Sequence, residues 1–139
     1  MSWQDRLLLL DAIFWLGIAG LAIAALPFRH VGFLAARPIH RPEPPGQARI
    51  DKVRRIRWAI ISTAARVPWR VMCFQQGLAA QLMLRRRGIS SVLYFGAAQD
   101  DQRGLHAHVW VRDGDADVIG GENAHRFAIL VAFPPANVD

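Results

Sequence analysis

The single cysteine of the chain, Cys73, and two histidines separated by one residue, His106 and His108, are the side chains best suited to covalent chemistry. A thiol needs a base to take its proton, and an imidazole is the usual partner. The pair would attack a carbonyl through sulfur, and the imidazole would return the proton to the departing amine. Cys73 lies in the first turn of the stretch Arg70–Gly88, read as a helix with Pro68 just before its start, Leu84-Arg-Arg-Arg at its end and Gly88 just past it. Proline is tolerated before a helix and glycine suits the left-handed position after it. Arg85, Arg86 and Arg87 complement the negative end of the dipole. The opposite end favours a thiolate, and the backbone N–H of Cys73 points to where an oxyanion would form. Gly77 and Ala80 follow on the same face, so the helix can lie close against its support. A buried structural cysteine is the bland alternative.

His106, His108, Trp110 and Arg112 alternate in Leu105–Arg112, which places them on one face of a strand. Val92–Ala97 reads as a buried strand before it, and Gln99–Gly104 as the turn between them. Asp113-Gly114 signals a hairpin, Asp117–Ile119 a short return strand, and Gly120-Gly121 a break. Phe127–Phe133 is a last strand, stopped by Pro134-Pro135. Before Cys73, Ile50–Val67 reads as a helix. Ile50, Val53, Ile56, Ile60 and Ile61 form its apolar stripe, and Lys52, Arg54, Arg55 and Arg57 lie off it. Helices first and an antiparallel sheet after them predict an α+β fold with the cysteine helix laid on the sheet.

The 139 residues suit one domain, and 53% hydrophobic residues supply a core. The expected division is a hydrophobic helical segment at 1–36, a Pro-rich linker at 37–48 holding Pro38, Pro42, Pro44 and Pro45, and a core at 49–139. Leu7–Leu26 approaches the length of a membrane span. Asp11 argues against a simple crossing, and the acidic Asp5 beside Arg6 weakens a signal peptide. The segment is expected to be a hydrophobic helix that packs on the domain, on a partner or at a membrane surface. A lone cysteine excludes an internal disulfide framework and a CxxC zinc site. The net charge of +6 favours acidic partners, but no RNP, KH or zinc-finger pattern supports nucleic acid.

Cys73 at a helix start, Leu84–Gly88, and Ala107-His-Val-Trp-Val111 together resemble the lasso-peptide biosynthesis B2 family of transglutaminase-like cysteine proteases. The usual pattern there is a cysteine helix, an LRRRG-like end and an AHAWV-like strand. The apolar opening that ends in Leu26-Pro-Phe-Arg29 is similar as well. The likeness covers most of the chain and is strongest from Arg70 to Phe133. It implies a transglutaminase-like or papain-like core and a cytoplasmic peptidase that needs no cofactor. Its substrate would be the leader of a ribosomally made precursor. The implied partners are a separate leader-recognition protein and an asparagine-synthetase-like lasso cyclase.

The resemblance puts the nucleophile on Cys73 and the base on His108, with His106 as a neighbour; His125 follows the sheet turn and reads as a surface residue. Where the family often has an orienting aspartate, this chain has Gly120, which has no side chain to hold an imidazole. Register then decides the substitute. A turn at 113–115 sets Gly120 opposite His108 and Glu122 diagonally beside it, whereas a turn at 113–114 favours Asp117. Glu122 is the expected third member, with Asp117 or a bare Cys–His dyad as alternatives. Three rival functions stand beside this one. His106, His108 and His125 could bind a metal with Asp117 or Glu122. The arginines could serve a basic binding module, and the thioester could pass to an acceptor other than water.

Overall fold

The computed structural model describes residues 2–36, 42–69, 71–100, 104–114 and 116–134. Among the described residues, four helices precede a four-stranded antiparallel sheet, the α+β layout expected. The helices are α1 (Trp3–Ala25), α2 (Phe28–Ala35), α3 (Gly46–Ala64) and α4 (Cys73–Arg86). The strands are β1 (Val92–Asp100), β2 (Gly104–Asp113), β3 (Ala116–Ile119) and β4 (Ala128–Phe133), in spatial order β3-β2-β1-β4. A short 3-10 helix, Gly121–Arg126, joins β3 to β4.

α1 starts at a capping box. Ser2 Oγ accepts from Asp5 N–H, and the Asp5 carboxylate accepts from Ser2 N–H. Its Ala12, Leu16, Ala19 and Ala22 are buried and pack on α3 and α4. The helix is long and apolar enough to cross a membrane. Leu7, Leu10, Phe14 and Leu21 on its other side are exposed. Asp11, which argued against a plain crossing, pairs with Arg87 at 2.7 Å.

α3 begins four residues earlier than the apolar stripe predicted, just after Pro45. Its buried face is Val53, Ile56, Ala59, Ile60 and Thr63, while Ile50 and Ile61 stay substantially exposed. Residues 37–41 of the expected linker lie outside the described residues. One continuous core joins residues of α1, α2, α3, α4 and the sheet.

α4 starts at Cys73, later than the sequence suggested, because Met72 is still extended. Its end follows the Schellman pattern. Ile89 N–H reaches Leu84 O at 3.0 Å and Gly88 N–H reaches Arg85 O at 3.0 Å. Gly88 has φ +81, the left-handed value expected of it. The three arginines are divided among three tasks. Arg87 caps Met83 O at 3.1 Å and pairs with Asp11, Arg86 lies over the Trp15 ring, and Arg85 donates to Ser91 O at 2.9 Å.

The β2–β3 hairpin differs from both expected registers. Asp113 pairs with Ala116 and Arg112 with Asp117; then a bulge shifts the ladder so that Val111 faces Ile119. The turn therefore closes after Asp113, with Gly114 at φ +61. The strand pairing stops at Ile119, so no residue of β3 lies opposite His108. Both alternatives assumed an unbroken ladder, and the bulge is a local backbone feature that alternation does not report.

Candidate active site

Cys73 is the first residue of α4 and is exposed. Met72, before it, has no side chain able to cap the helix, so the first-turn N–H groups keep their positive field. Three contacts set the depth and direction of this helix. The Gln75 amide donates to Leu16 O of α1 at 2.7 Å. Gly20 makes room for it, since a Cβ there would lie 2.7 Å from Gln75 Nε2. Gly77 lies so close to β2 that a Cβ would meet Val109 Cγ1 at 2.6 Å, which is the close approach its smallness implied. Gln81, fully buried, donates to Ala35 O, Ser91 O and Phe133 O at 2.8, 3.1 and 3.0 Å, and accepts from Ser91 Oγ at 2.6 Å.

His108 stands on β2 opposite Gly96 of β1 and is half-buried. Its ring stacks on Trp110, with centroids 5.9 Å apart and planes 23° apart, and tilts over Phe127 at 5.0 Å. Trp110 is itself stacked on Tyr94 and buried. His106 meets the edge of Phe127 at 5.5 Å and is exposed, as is His125.

The Nε2 of His108 lies 2.7 Å from the carbonyl oxygen of Gly120. A carbonyl can only accept, so Nε2 carries the proton and Nδ1 of the neutral ring is the free acceptor. Gly120 is left-handed, with φ +75, and a Cβ there would lie 2.7 Å from Val109 O. Glycine is thus the residue that lets the backbone turn its carbonyl onto the imidazole. The expectation that glycine could not hold the ring considered side chains alone. The orienting group is the peptide oxygen.

Glu122 sits beside this pair in the first turn of the 3-10 helix, and its carboxylate bonds to Arg57 Nη2 at 3.1 Å. Arg57 is fixed in turn on Val118 O at 2.9 Å. A hydrogen bond from the Glu122 backbone N–H, then the Arg57 guanidinium, holds the Glu122 carboxyl below the usual carboxylate range, with His108 adding a smaller pull. Asp117 pairs with Arg112 across the hairpin at 3.4 Å.

Cys73 and His108 line the same two clefts. One, of about 350 Å³, is mainly apolar; the other, of about 240 Å³, also holds Arg57, Gln76, Gly120 and Glu122. The sequence-predicted Cys73, His108 and Glu122 therefore meet around one hollow, while Asp117 is engaged elsewhere. Among the described residues, no three His, Cys, Asp or Glu side chains are grouped to hold a metal ion. Sequence reasoning missed Phe127, the Gly120 carbonyl and Arg57 as site residues. The Gly120-Gly121 break was the one signal pointing to a special backbone there.

A family model described as the transglutaminase-like superfamily matches residues 20–132, most of the chain. No curated protein and no solved structure matches it.

Proposed function

The chain belongs to the transglutaminase-like superfamily, and on that premise we propose that it is a cysteine peptidase that removes the leader from a lasso-type precursor peptide. The observation that carries the proposal is the shared position of Cys73 and His108 in both clefts, with His108 Nε2 tied to Gly120 O. In this mechanism Nδ1 of His108 takes the Cys73 thiol proton and sulfur attacks the scissile carbonyl carbon. The oxyanion faces the first-turn N–H of Cys73. The C–N bond then breaks as the imidazolium gives its proton to the leaving amine, and the acyl group remains on sulfur as a thioester. Water, deprotonated by His108, adds to the thioester. The C–S bond breaks and the thiol is restored.

Gly120 orients the ring through its carbonyl, and the ionised Glu122, held on Arg57, supports the imidazolium through its field. Trp110 and Phe127 limit the ring's tilt. The leader-recognition protein would deliver the precursor, the lasso cyclase would take the freed core, and α1 could lie at a membrane surface. A purely basic binding module is less well supported, because Arg49, Arg55, Arg57 and Arg87 are each paired with an acid of the same chain.

The test is incubation of the purified protein with precursor and recognition protein, followed by mass spectrometry. Loss of leader cleavage in Cys73→Ala and His108→Gln is expected. Unchanged cleavage by Cys73→Ala would overturn the proposal.

A further inference from the structure

The peptide oxygen that guides His108 belongs to the first of two consecutive glycines, Gly120-Gly121. Glycine has the least restricted backbone, so the aim of a carbonyl there depends on what holds the residues around it. That hold comes from α3. Arg57 Nη1 donates to Val118 O at 2.9 Å, and Arg57 Nη2 donates to Glu122 Oε1 at 3.1 Å. Val118 stands two residues before Gly120, and Glu122 two residues after it. Val118 is the residue passed over at the β3 bulge, and its side chain is fully buried. The Glu122 carboxylate also accepts from its own backbone N–H, so its bond to Arg57 is tied to the main chain. One guanidinium therefore spans the corner, with the Gly120 carbonyl midway between its two anchors.

We propose that Arg57 is a positioning residue for His108: it closes a clamp across Gly120 that aims the Gly120 carbonyl at Nε2. It acts through the backbone of the corner and not on the reacting atoms. The effect on rate rests on the peptidase assignment above, whereas the effect on the imidazole does not. Arginine suits the task, because its planar fork reaches a carbonyl and a carboxylate at once from a fixed geometry. A lysine would bring the same charge on a single nitrogen. The base of the clamp is set in the core, since Ile56 and Ile60 on either side of Arg57 are buried. Arg57 and Ile61, one turn apart, are the α3 residues that line the cleft holding Cys73 and His108. A helix that carries neither the thiol nor the imidazole thereby governs the direction of the ring.

The test compares the full chain with Arg57→Met, which removes every donor, and Arg57→Lys, which keeps the charge. Arg57 is half-buried at the surface of α3, so both side chains fit, and circular dichroism restricts the comparison to folded protein. In proton–nitrogen NMR without substrate, the Nε2 proton of the parent's His108 should exchange slowly with water and be visible, because it is bonded to Gly120 O. Both variants should lose that signal. In the cleavage assay kcat should fall by about ten- to a hundredfold, the scale of a misplaced catalytic group, while KM stays within about twofold. A parent without the signal, or an Arg57→Met protein that keeps it, would overturn the clamp. An Arg57→Lys protein with the parental signal and kcat would assign the effect to charge alone and overturn it too. A rise in KM at unchanged kcat would make Arg57 a substrate contact instead. A parent that leaves the precursor uncut would remove the peptidase assignment, and the NMR comparison would still decide the clamp.

Discussion

The imidazole of His108 is held by a peptide carbonyl: its Nε2 lies 2.7 Å from Gly120 O. The acceptor belongs to a left-handed glycine, φ +75, that no residue with a Cβ can replace without meeting Val109 O. Gly120→Ala should therefore cost about 1–3 kcal/mol of stability through strain, read by urea unfolding. In the folded fraction it should lower kcat more than it raises KM, because the ring loses its guide and the cleft walls do not change. In the parent protein, nitrogen-15 NMR should show the Nε2–H tautomer at His108. Finding the proton on Nδ1 would contradict this orientation.

Glu122 tests the same relationship from the other side. Its carboxylate is engaged with Arg57, so Glu122→Gln should leave cleavage within about tenfold of the parent, while His108→Gln should abolish it. A loss equal to that of His108→Gln would make Glu122 the orienting group. The pH dependence has a definite sign. The folded-state carboxyl is depressed below its ordinary value of 4.5. Its stabilisation is therefore full above that value and is lost as pH falls through the folded value. Glu122 is mostly exposed and solvent screens the pair, so the effect should stay below about 1 kcal/mol. Acid unfolding curves of parent and Glu122→Gln should converge at low pH and separate slightly above it.

Periodicity and end signals were enough to place most elements of this fold. Gly88 ends α4 in the left-handed form that its position implied, and the alternation of Leu105–Arg112 does put His108 and Trp110 on one face, where they stack. Cys73, His108 and Glu122 were likewise recognisable as one neighbourhood. What side-chain types could not convey was backbone geometry. The bulge beside Val111 ends the ladder at Ile119, and the Gly120 carbonyl replaces the side chain that was sought. Ile50 and Ile61 fit the α3 stripe by type yet remain exposed: Ile50 lies nearly a turn before the buried face that starts at Val53, and Ile61 sits one residue round the helix from the buried line Val53, Ile56, Ile60 and Thr63.

Gly77 controls the distance between α4 and β2. A methyl group there would meet Val109 Cγ1 at 2.6 Å, and both partners are buried, so one element must yield. Gly77→Ala usually gains helix propensity of up to about 1 kcal/mol, but here overpacking of about 1–3 kcal/mol opposes it. The expected net result is a less stable protein. Cleavage should fall further than stability does, because Cys73 lies one turn away on the displaced helix and His108 adjoins Val109. A stabilised, fully active Gly77→Ala would show that the helix does not bear on the strand so closely.

Gln81 sits two turns beyond Cys73 and has no part in either cleft, so it separates the scaffold from the chemistry. Its amide spreads two N–H donors over the carbonyls of Ala35, Ser91 and Phe133, joining α2, the residue that leads into β1, and β4 to α4, and its oxygen takes the Ser91 hydroxyl. Gln81→Leu keeps much of the volume but leaves these buried acceptors without donors. Each orphaned group costs roughly 1–3 kcal/mol. With partial relaxation the total should be about 2–4 kcal/mol, among the larger losses for a single substitution. Gln81→Glu should be at least as damaging, since it removes the donors and adds a charge to a site with no exposure. At low temperature, where the variant remains folded, the iodoacetamide reactivity of Cys73 should match the parent, because the first turn of α4 is held separately by Gln75 on Leu16 O. A loss under about 1 kcal/mol would mean that water reaches these carbonyls and that the four segments are not bound together through this one amide.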